Sequence, residues 1–112
     1  MGGISTHVLD TSVGRPAEGV QVVLEQLDGE GWTEVGSGAT DSDGRLANLL
    51  AAERVRARTY QLRFDTASYF ASRGIEGFYP EIAIRFRVTD TGAHHHVPLL
   101  VSPFGYSTYR GS

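Results

Sequence analysis

The sequence reads Ile82-Ala83-Ile84-Arg85-Phe86-Arg87-Val88-Thr89 at its most regular point. Apolar and polar side chains alternate there, which is typical of a β-strand with one face in the core and one in solvent. The same alternation recurs in Tyr60-Gln61-Leu62-Arg63-Phe64 and in Val20-Gln21-Val22-Val23-Leu24-Glu25. Leu99-Leu100-Val101 is expected to lie in a further strand. The chain is therefore predicted to consist largely of short β-strands.

Turn-forming residues separate these strands about every ten residues, a spacing typical of all-β domains. Asp28-Gly29-Glu30-Gly31 is one such turn, and Trp32-Thr33-Glu34-Val35 after it predicts the second strand of a hairpin. The segment Leu46 to Arg58 could hold a strand end or a helical turn, and we expect it to be loop-like.

One segment, Asp65 to Gly74, predicts a short helix. Asp65 or Thr66 can cap its start, apolar residues follow at helical spacing, and Gly74 stands where a helix would stop. Seven or eight strands, one helix and no βαβ spacing favour an all-β fold, an antiparallel β-sandwich of two sheets. The length of 112 residues suits a single domain, expected over residues 1–112.

Composition excludes several functional classes. The chain has no cysteine, which excludes disulfides, cysteine zinc sites and thiol nucleophiles. All 10 basic residues are arginine against 13 acidic ones, giving a net charge of −3, so lysine chemistry is excluded and neither nucleic acid nor a membrane surface is an expected partner. The N-terminal residues lack the pattern of a secretory signal, so a cytoplasmic location is expected.

The histidines are the side chains that titrate near neutral pH. Three stand together as His94-His95-His96. In a strand, His94 and His96 would share one face and His95 would lie on the other. The cluster could be a solvated surface group, or His94 and His96 could bind zinc with a third ligand such as His7. No carboxylate stands at a spacing that supplies an obvious further ligand or general base.

Two further segments are candidate site elements. Asp41-Ser42-Asp43-Gly44 predicts a turn that would hold Arg45 at the rim of a strand, although a solvated surface arginine is the simpler interpretation. It does not fit a calcium loop, because Leu50 stands where the last acidic ligand belongs. Near the end of the sequence, Ser107 and Thr108 lie between two tyrosines, a composition that favours an ordered strand over a frayed tail.

The chain resembles the 5-hydroxyisourate hydrolases, the transthyretin-related proteins of urate breakdown, over essentially its whole length. The terminal Tyr-Arg-Gly-Ser is the specific part, because transthyretin, the hormone carrier with the same fold, ends differently. The motifs that carry the resemblance are Ser5-Thr6-His7-Val8-Leu9-Asp10-Thr11, Asp43-Gly44-Arg45, Phe78-Tyr79-Pro80, His96-Val97-Pro98-Leu99-Leu100, Ser102-Pro103 and Tyr109-Arg110-Gly111-Ser112.

The resemblance implies a transthyretin-like sandwich that assembles as a homotetramer, a dimer of dimers, with catalytic pockets at the mouths of a channel between dimers. It implies hydrolysis of 5-hydroxyisourate to 2-oxo-4-hydroxy-4-carboxy-5-ureidoimidazoline without metal or cofactor. The matching catalytic positions are His7, Arg45, His96 and Ser112. Tyr109, Arg110 and Gly111 complete the tail and are expected to bind substrate.

Two positions depart from the family pattern. His95 stands where the family usually has an aromatic residue, which leaves adventitious metal binding more open, and Asp41 stands where asparagine is common. Two alternatives to the hydrolase stay open: a transthyretin-like small-molecule carrier and a zinc hydrolase with histidine ligands. Two histidines and an arginine at the matched positions favour chemistry over passive binding.

Hydrolysis of a lactam needs activated water, a stabilised oxyanion and a protonated leaving nitrogen. We expect His7 and His96 to carry the proton transfers jointly, with the general base unassigned between them. Arg45 is expected to bind the carbonyl oxygen as charge develops. Ser112, through its hydroxyl or a terminal carboxylate, is expected to position substrate or water and not to act as a nucleophile, because no motif supplies a serine-activating triad.

Overall fold

A computed structural model describes residues 2–112. The strands are β1 (Gly3–Asp10), β2 (Arg15–Pro16), β3 (Gln21–Asp28), β4 (Gly31–Ala39), β5 (Arg45–Leu50), β6 (Thr59–Phe64), β7 (Ile82–Arg87), β8 (His94–Ser102) and β9 (Gly105–Thr108), with helix α1 (Thr66–Ala71) and a 3-10 turn at Ala52–Arg54. The predicted hairpin, the alternating strands, the ordered strand near the C-terminus and the helix between two strands are all confirmed.

The strands form two sheets. One has the order β2-β1-β8-β9, with β5 also paired to β1, and the other has the order β4-β3-β6-β7. Every pairing is antiparallel except that of β1 with β8, which is parallel from Gly3↔His94 to Asp10↔Val101. The fold is a β-sandwich, as predicted, but the central pairing of β1 with β8 is parallel and not antiparallel.

The core lies between the sheets and is lined by their inward positions. Val8 and Leu99 from the first sheet and Leu24, Leu62 and Phe64 from the second are fully buried. Burying one such side chain stabilises the fold by about 1.5–3 kcal/mol. Because neighbouring residues of a strand point to opposite faces, residues next to these core positions are displayed on the outer faces of the sheets.

The structure has nine strands within residues 2–112, where the sequence predicts seven or eight. The expectation of a loop over Leu46 to Arg58 is wrong at its start, because β5 pairs with β1. Leu49 and Leu50 are both buried, while Ala47 and Asn48 are both exposed. This burial pattern hides the two-residue period. It accompanies a register shift in which the four steps from Leu46 to Leu50 in β5 face only the two steps from Thr6 to Ile4 in β1.

Helix α1 is capped as its sequence predicts. The Asp65 carboxylate accepts a hydrogen bond from the Ser68 backbone N–H at 3.1 Å, and Ile75 N–H donates to the Phe70 carbonyl at 2.9 Å beyond the last turn. Gly74 has a φ of +72°, the left-handed conformation that ends helices. Among residues 2–112, no helix is long and apolar enough to cross a lipid bilayer.

Candidate active site

Three neighbouring strands bring the predicted catalytic residues onto the outer face of the first sheet. His7 of β1 stands opposite Arg45 of β5 in the antiparallel register. Ser5 of β1 stands opposite His96 of β8 in the parallel register. Since residues two apart share a face, Ser5 and His7 lie together, and so do His94 and His96. The β1–β8 pairing thus joins residues about 90 positions apart in sequence.

These residues line one cavity of about 330 Å³, near the lower end of the roughly 300–1,000 Å³ of small-molecule sites. Imidazole, guanidinium and hydroxyl groups dominate its polar lining. The lining residues are Ser5, Thr6, His7, Arg45, Ala47, His94, His96 and Ser112. The four predicted catalytic residues are therefore together, and such a lining suits a small polar ligand better than a large aromatic one.

Arg45 is held by a tight turn. The Asp41 carboxylate accepts hydrogen bonds from the backbone N–H groups of Asp43 and Arg45, each at 2.9 Å. The bond from Arg45 is the main cause that holds the pKa of Asp41 below its ordinary value. Gly44 has a φ of +76°, and a Cβ there would lie 2.4 Å from the Val8 carbonyl oxygen. The turn therefore requires glycine, and it fixes where β5 begins.

The hydrogen bond of His7 identifies its neutral tautomer. Nε2 of His7 lies 2.9 Å from the backbone carbonyl oxygen of Asp43. A carbonyl oxygen only accepts, so Nε2 carries the hydrogen. In neutral His7 the free lone pair is therefore on Nδ1, which makes that nitrogen the one able to take a proton.

His96 is half-buried beside three groups that carry or can carry positive charge. Its ring stacks with that of His7 at 6.5 Å between centroids. Burial lowers the pKa of His96 below its ordinary value, and the charges of His7, His94 and Arg45 lower it further. The charged form is disfavoured in both ways, so His96 is a neutral base over a wider pH range than an exposed histidine.

The C-terminal tail returns to His96. Gly111 N–H donates to the His96 carbonyl at 2.8 Å, and this brings Ser112 into the cavity lining. Tyr109 is 59% exposed, and neither it nor Arg110 lines the cavity in this single chain. Their substrate-binding role stays a prediction, and Gly111 touches the site through His96.

His95 points away from the cavity, as the strand period predicts. It is 4% exposed, and its Nδ1 donates to the Ala93 carbonyl at 3.0 Å. Burial is the main cause that lowers the pKa of His95, followed by the charge of Arg110. His95 therefore cannot join His94 and His96 on one metal ion. Residues 2–112 contain no group of three histidine or acidic side chains placed to hold a metal.

The two sheets with one short helix form a transthyretin-like fold, which this chain shares with solved structures of both a hydrolase and a transthyretin. The chain belongs to the HIUase/Transthyretin family, whose sequence model matches residues 4–111. The resemblance found in the motifs is thereby confirmed.

The chain is similar both to named 5-hydroxyisourate hydrolases and to a named transthyretin. The chain is 47% identical to 5-hydroxyisourate hydrolase of Salmonella dublin, over 97% of this chain and 80% of that protein. The structure of Klebsiella pneumoniae 5-hydroxyisourate hydrolase superposes with a TM-score of 0.87 at 40% identity and covers 100% of both chains. Sparus aurata transthyretin gives a TM-score of 0.93 at 29% identity, over 99% of this chain and 97% of that one.

A solved (S)-allantoin synthase matches with a TM-score of 0.91 at 39% identity, over 99% of this chain. The present chain spans 44% of the length of that protein. The fold alone does not separate hydrolase from carrier, since both superpose closely. The sequence identities are higher to the hydrolases, and neither the carrier nor the zinc alternative is favoured.

Two cavity residues that share a hydrogen bond, Ser5 and His94, have no catalytic part in the sequence prediction. The sequence indicates Ser5 only as part of a motif and His94 only as a possible metal ligand. A signal for Ser5 exists, because it stands two residues before His7 and must share its face in a strand. Its contacts with β8 had no such signal, since they depend on the parallel pairing.

Proposed function

We propose that this chain hydrolyses 5-hydroxyisourate to 2-oxo-4-hydroxy-4-carboxy-5-ureidoimidazoline in urate degradation. The observation that carries the proposal is that His7, Arg45 and His96 line one cavity in a chain 47% identical to a named 5-hydroxyisourate hydrolase. The reaction adds one water across a ring amide. The carbonyl carbon gains the water oxygen, and its bond to nitrogen breaks.

The two histidines supply the proton transfers. One imidazole takes a proton from water as the water oxygen attacks the carbonyl carbon, through Nδ1 in the case of His7. The imidazolium so formed protonates the leaving nitrogen when the C–N bond breaks, so no proton is gained or lost over the cycle. General acid–base catalysis of this kind contributes about 10²–10⁴ in rate. The lowered pKa of His96 keeps it available as a neutral base near pH 7.

Arg45 and the C-terminal tail bind and position the substrate. The guanidinium of Arg45 stabilises the carbonyl oxygen as it becomes an oxyanion, a contribution of about 3–4 kcal/mol per donor in comparable sites. Ser112 lines the cavity, and its hydroxyl positions the substrate or the attacking water. Tyr109, Arg110 and Gly111 complete the substrate-binding tail in this proposal.

The proposal includes assembly as a homotetramer, a dimer of dimers, and a cytoplasmic location. Strands β7 and β9 are sheet edges within the described part of the chain, and an open edge is a template for pairing with another copy. Phe104 and Tyr106 are exposed at the β9 hairpin by 73% and 44%. Exposed aromatic side chains beside an open edge support an interface there.

Decay of freshly generated 5-hydroxyisourate, followed by ultraviolet absorbance, tests the site assignment. His7→Ala, Arg45→Ala, His96→Ala and deletion of residues 109–112 should each lower turnover by about 10²-fold or more without unfolding the chain. Arg54→Ala is the matched control for Arg45, because Arg54 is an exposed arginine outside the cavity. Full activity in the tail deletion would contradict the role given to the tail.

A further inference from the structure

Ser5 is placed between two histidines of the neighbouring strand. Its Oγ lies 2.7 Å from Nε2 of His94 and 2.8 Å from Nδ1 of His96. Ser5 itself is 6% exposed, so protein groups and not bulk water satisfy its hydroxyl. The parallel register Gly3↔His94 and Ser5↔His96 produces this bridge.

A hydroxyl has one hydrogen to donate, and this couples the two rings. If His96 donates from Nδ1 to Ser5, the Ser5 hydroxyl donates to Nε2 of His94, and both neutral histidines carry their hydrogen on Nδ1. If Ser5 donates to His96, then His94 donates to Ser5, and both carry it on Nε2. Two arrangements with opposite tautomers remain. If both rings donate to Ser5, the buried hydroxyl hydrogen is unpaired, and if neither ring donates, one ring nitrogen lacks a donor, so both arrangements are unfavourable.

We propose that Ser5 and His94 are positioning residues that act on His96 as a proton relay, setting its tautomer and receiving its proton during hydrolysis. The inference rests on the proposed function and extends it to two residues without an assigned role. In the first arrangement Nε2 of His96 has a free lone pair and acts as the base. In the second the same nitrogen carries a hydrogen and acts as the acid.

Nε2 of His96 takes a proton from water, which makes His96 an imidazolium. The Nδ1 hydrogen of His96 then moves to Oγ of Ser5, and the Ser5 hydrogen moves to Nε2 of His94. His96 is left neutral with a hydrogen on Nε2, Ser5 keeps one hydrogen, and the positive charge resides on His94.

The surroundings favour movement of the charge in this direction. His96 is half-buried and lines the same cavity as Arg45, whose positive charge repels an imidazolium. His94 is exposed at the start of β8, where water stabilises its charged form. Returning both hydrogens along the same path restores the imidazolium when the leaving nitrogen needs a proton.

Ser5→Ala and His94→Gln break the relay in two ways. The first removes the bridging hydroxyl, and the second keeps a hydrogen-bonding side chain that does not titrate. Each should lower kcat by about tenfold or more, within the range of acid–base catalysis, and change KM little. Ser37→Ala, at an exposed position of β4 in the second sheet, and His95→Gln, on the other face of β8, are the matched controls.

The solvent isotope effect separates a relay from a merely structural role. In mixtures of H2O and D2O, kcat of the wild type should depend on deuterium content along a curve, because several protons move, and both variants should give a straight line. Unchanged kcat in both variants, or a lowered kcat with the wild-type curvature, would overturn the relay.

NMR of the imidazole nitrogens in the free protein tests the coupling without substrate. Neutral His94 and His96 should carry their hydrogens on the same ring position, and Ser5→Ala should release His94 to populate its other tautomer. Opposite tautomers in the wild type would overturn the relay. A wild type that shows the coupling but does not accelerate decay of 5-hydroxyisourate would instead contradict the proposed function.

Discussion

A Cβ atom at position 111 would lie 2.6 Å from Cδ2 of His96. Carbon atoms of a real side chain do not approach so closely, so the His96 ring occupies space that only a glycine at 111 leaves free. The tail and the ring fit each other, and the hydrogen bond from Gly111 N–H to the His96 carbonyl fixes their register. The contact connects the last residues of the chain to the proposed base.

Gly111→Ala should therefore lower turnover by about 10²-fold, because a catalytic group displaced by about 1 Å can lose that much. The thermal midpoint of unfolding should change little, since the tail lies outside the core. Decay of 5-hydroxyisourate and thermal denaturation measure the two effects. Gly31→Ala is the control, because nothing lies within 4 Å of a Cβ at that position. Equal loss of activity in both variants would contradict the proposed contact.

Asp41 should be replaceable by asparagine but not by alanine. Its Oδ1 accepts two backbone N–H groups that shape the turn before Arg45, and an amide oxygen can accept the same bonds. We expect Asp41→Asn to keep activity within about twofold and Asp41→Ala to lose about tenfold through misplacement of Arg45. Steady-state kinetics compares the two, and equal activities would show that the turn does not position Arg45.

The pKa of His96 should lie below the ordinary histidine value of about 6.5 and respond to Arg45. Burial is the main cause of the lowering, and the Arg45 charge is a smaller one. Arg45→Ala should therefore raise the pKa of His96 while leaving it below its ordinary value. An NMR titration of the His96 ring measures its pKa in the wild type and in Arg45→Ala. Arg54→Ala should leave the value unchanged, and an unshifted pKa in Arg45→Ala would contradict the electrostatic coupling.

Folding stability should fall as the pH drops below about 6.5, in part because of His95. Its pKa is lowered in the folded state, so the unfolded chain binds more protons at mildly acidic pH, and the free energy of unfolding decreases there. Urea denaturation at pH 7.5 and pH 5.0 should show a larger loss for the wild type than for His95→Gln. The same loss in both proteins would exclude His95 as a source of this pH dependence.

Local patterns predicted most of the elements. Alternation between Ile82 and Thr89 identified β7, and the cap at Asp65 with the stop at Gly74 identified α1. The parallel pairing of β1 with β8 could not be predicted, because it joins distant residues and leaves no local signal. Strand β5 was missed because Leu49 and Leu50 are both buried.

The candidate site likewise has a part that could be predicted from sequence and a part that could not. The strand period placed His94 and His96 on one face and His95 on the other. The family motifs indicated His7, Arg45 and Ser112 as their partners. What was missed is the bridge through Ser5, because it depends on two strands meeting in one register. Sequence thus identified the chemical groups, and long-range pairing determined how they connect.

The most direct test is the rate at which freshly generated 5-hydroxyisourate loses its ultraviolet absorbance, with and without this protein and with a chelator present throughout. We predict decay well above the spontaneous rate, unaffected by the chelator. No acceleration by folded, tetrameric protein would contradict the hydrolase assignment and favour a carrier. Activity lost only in the presence of the chelator would instead point to a metal-dependent site.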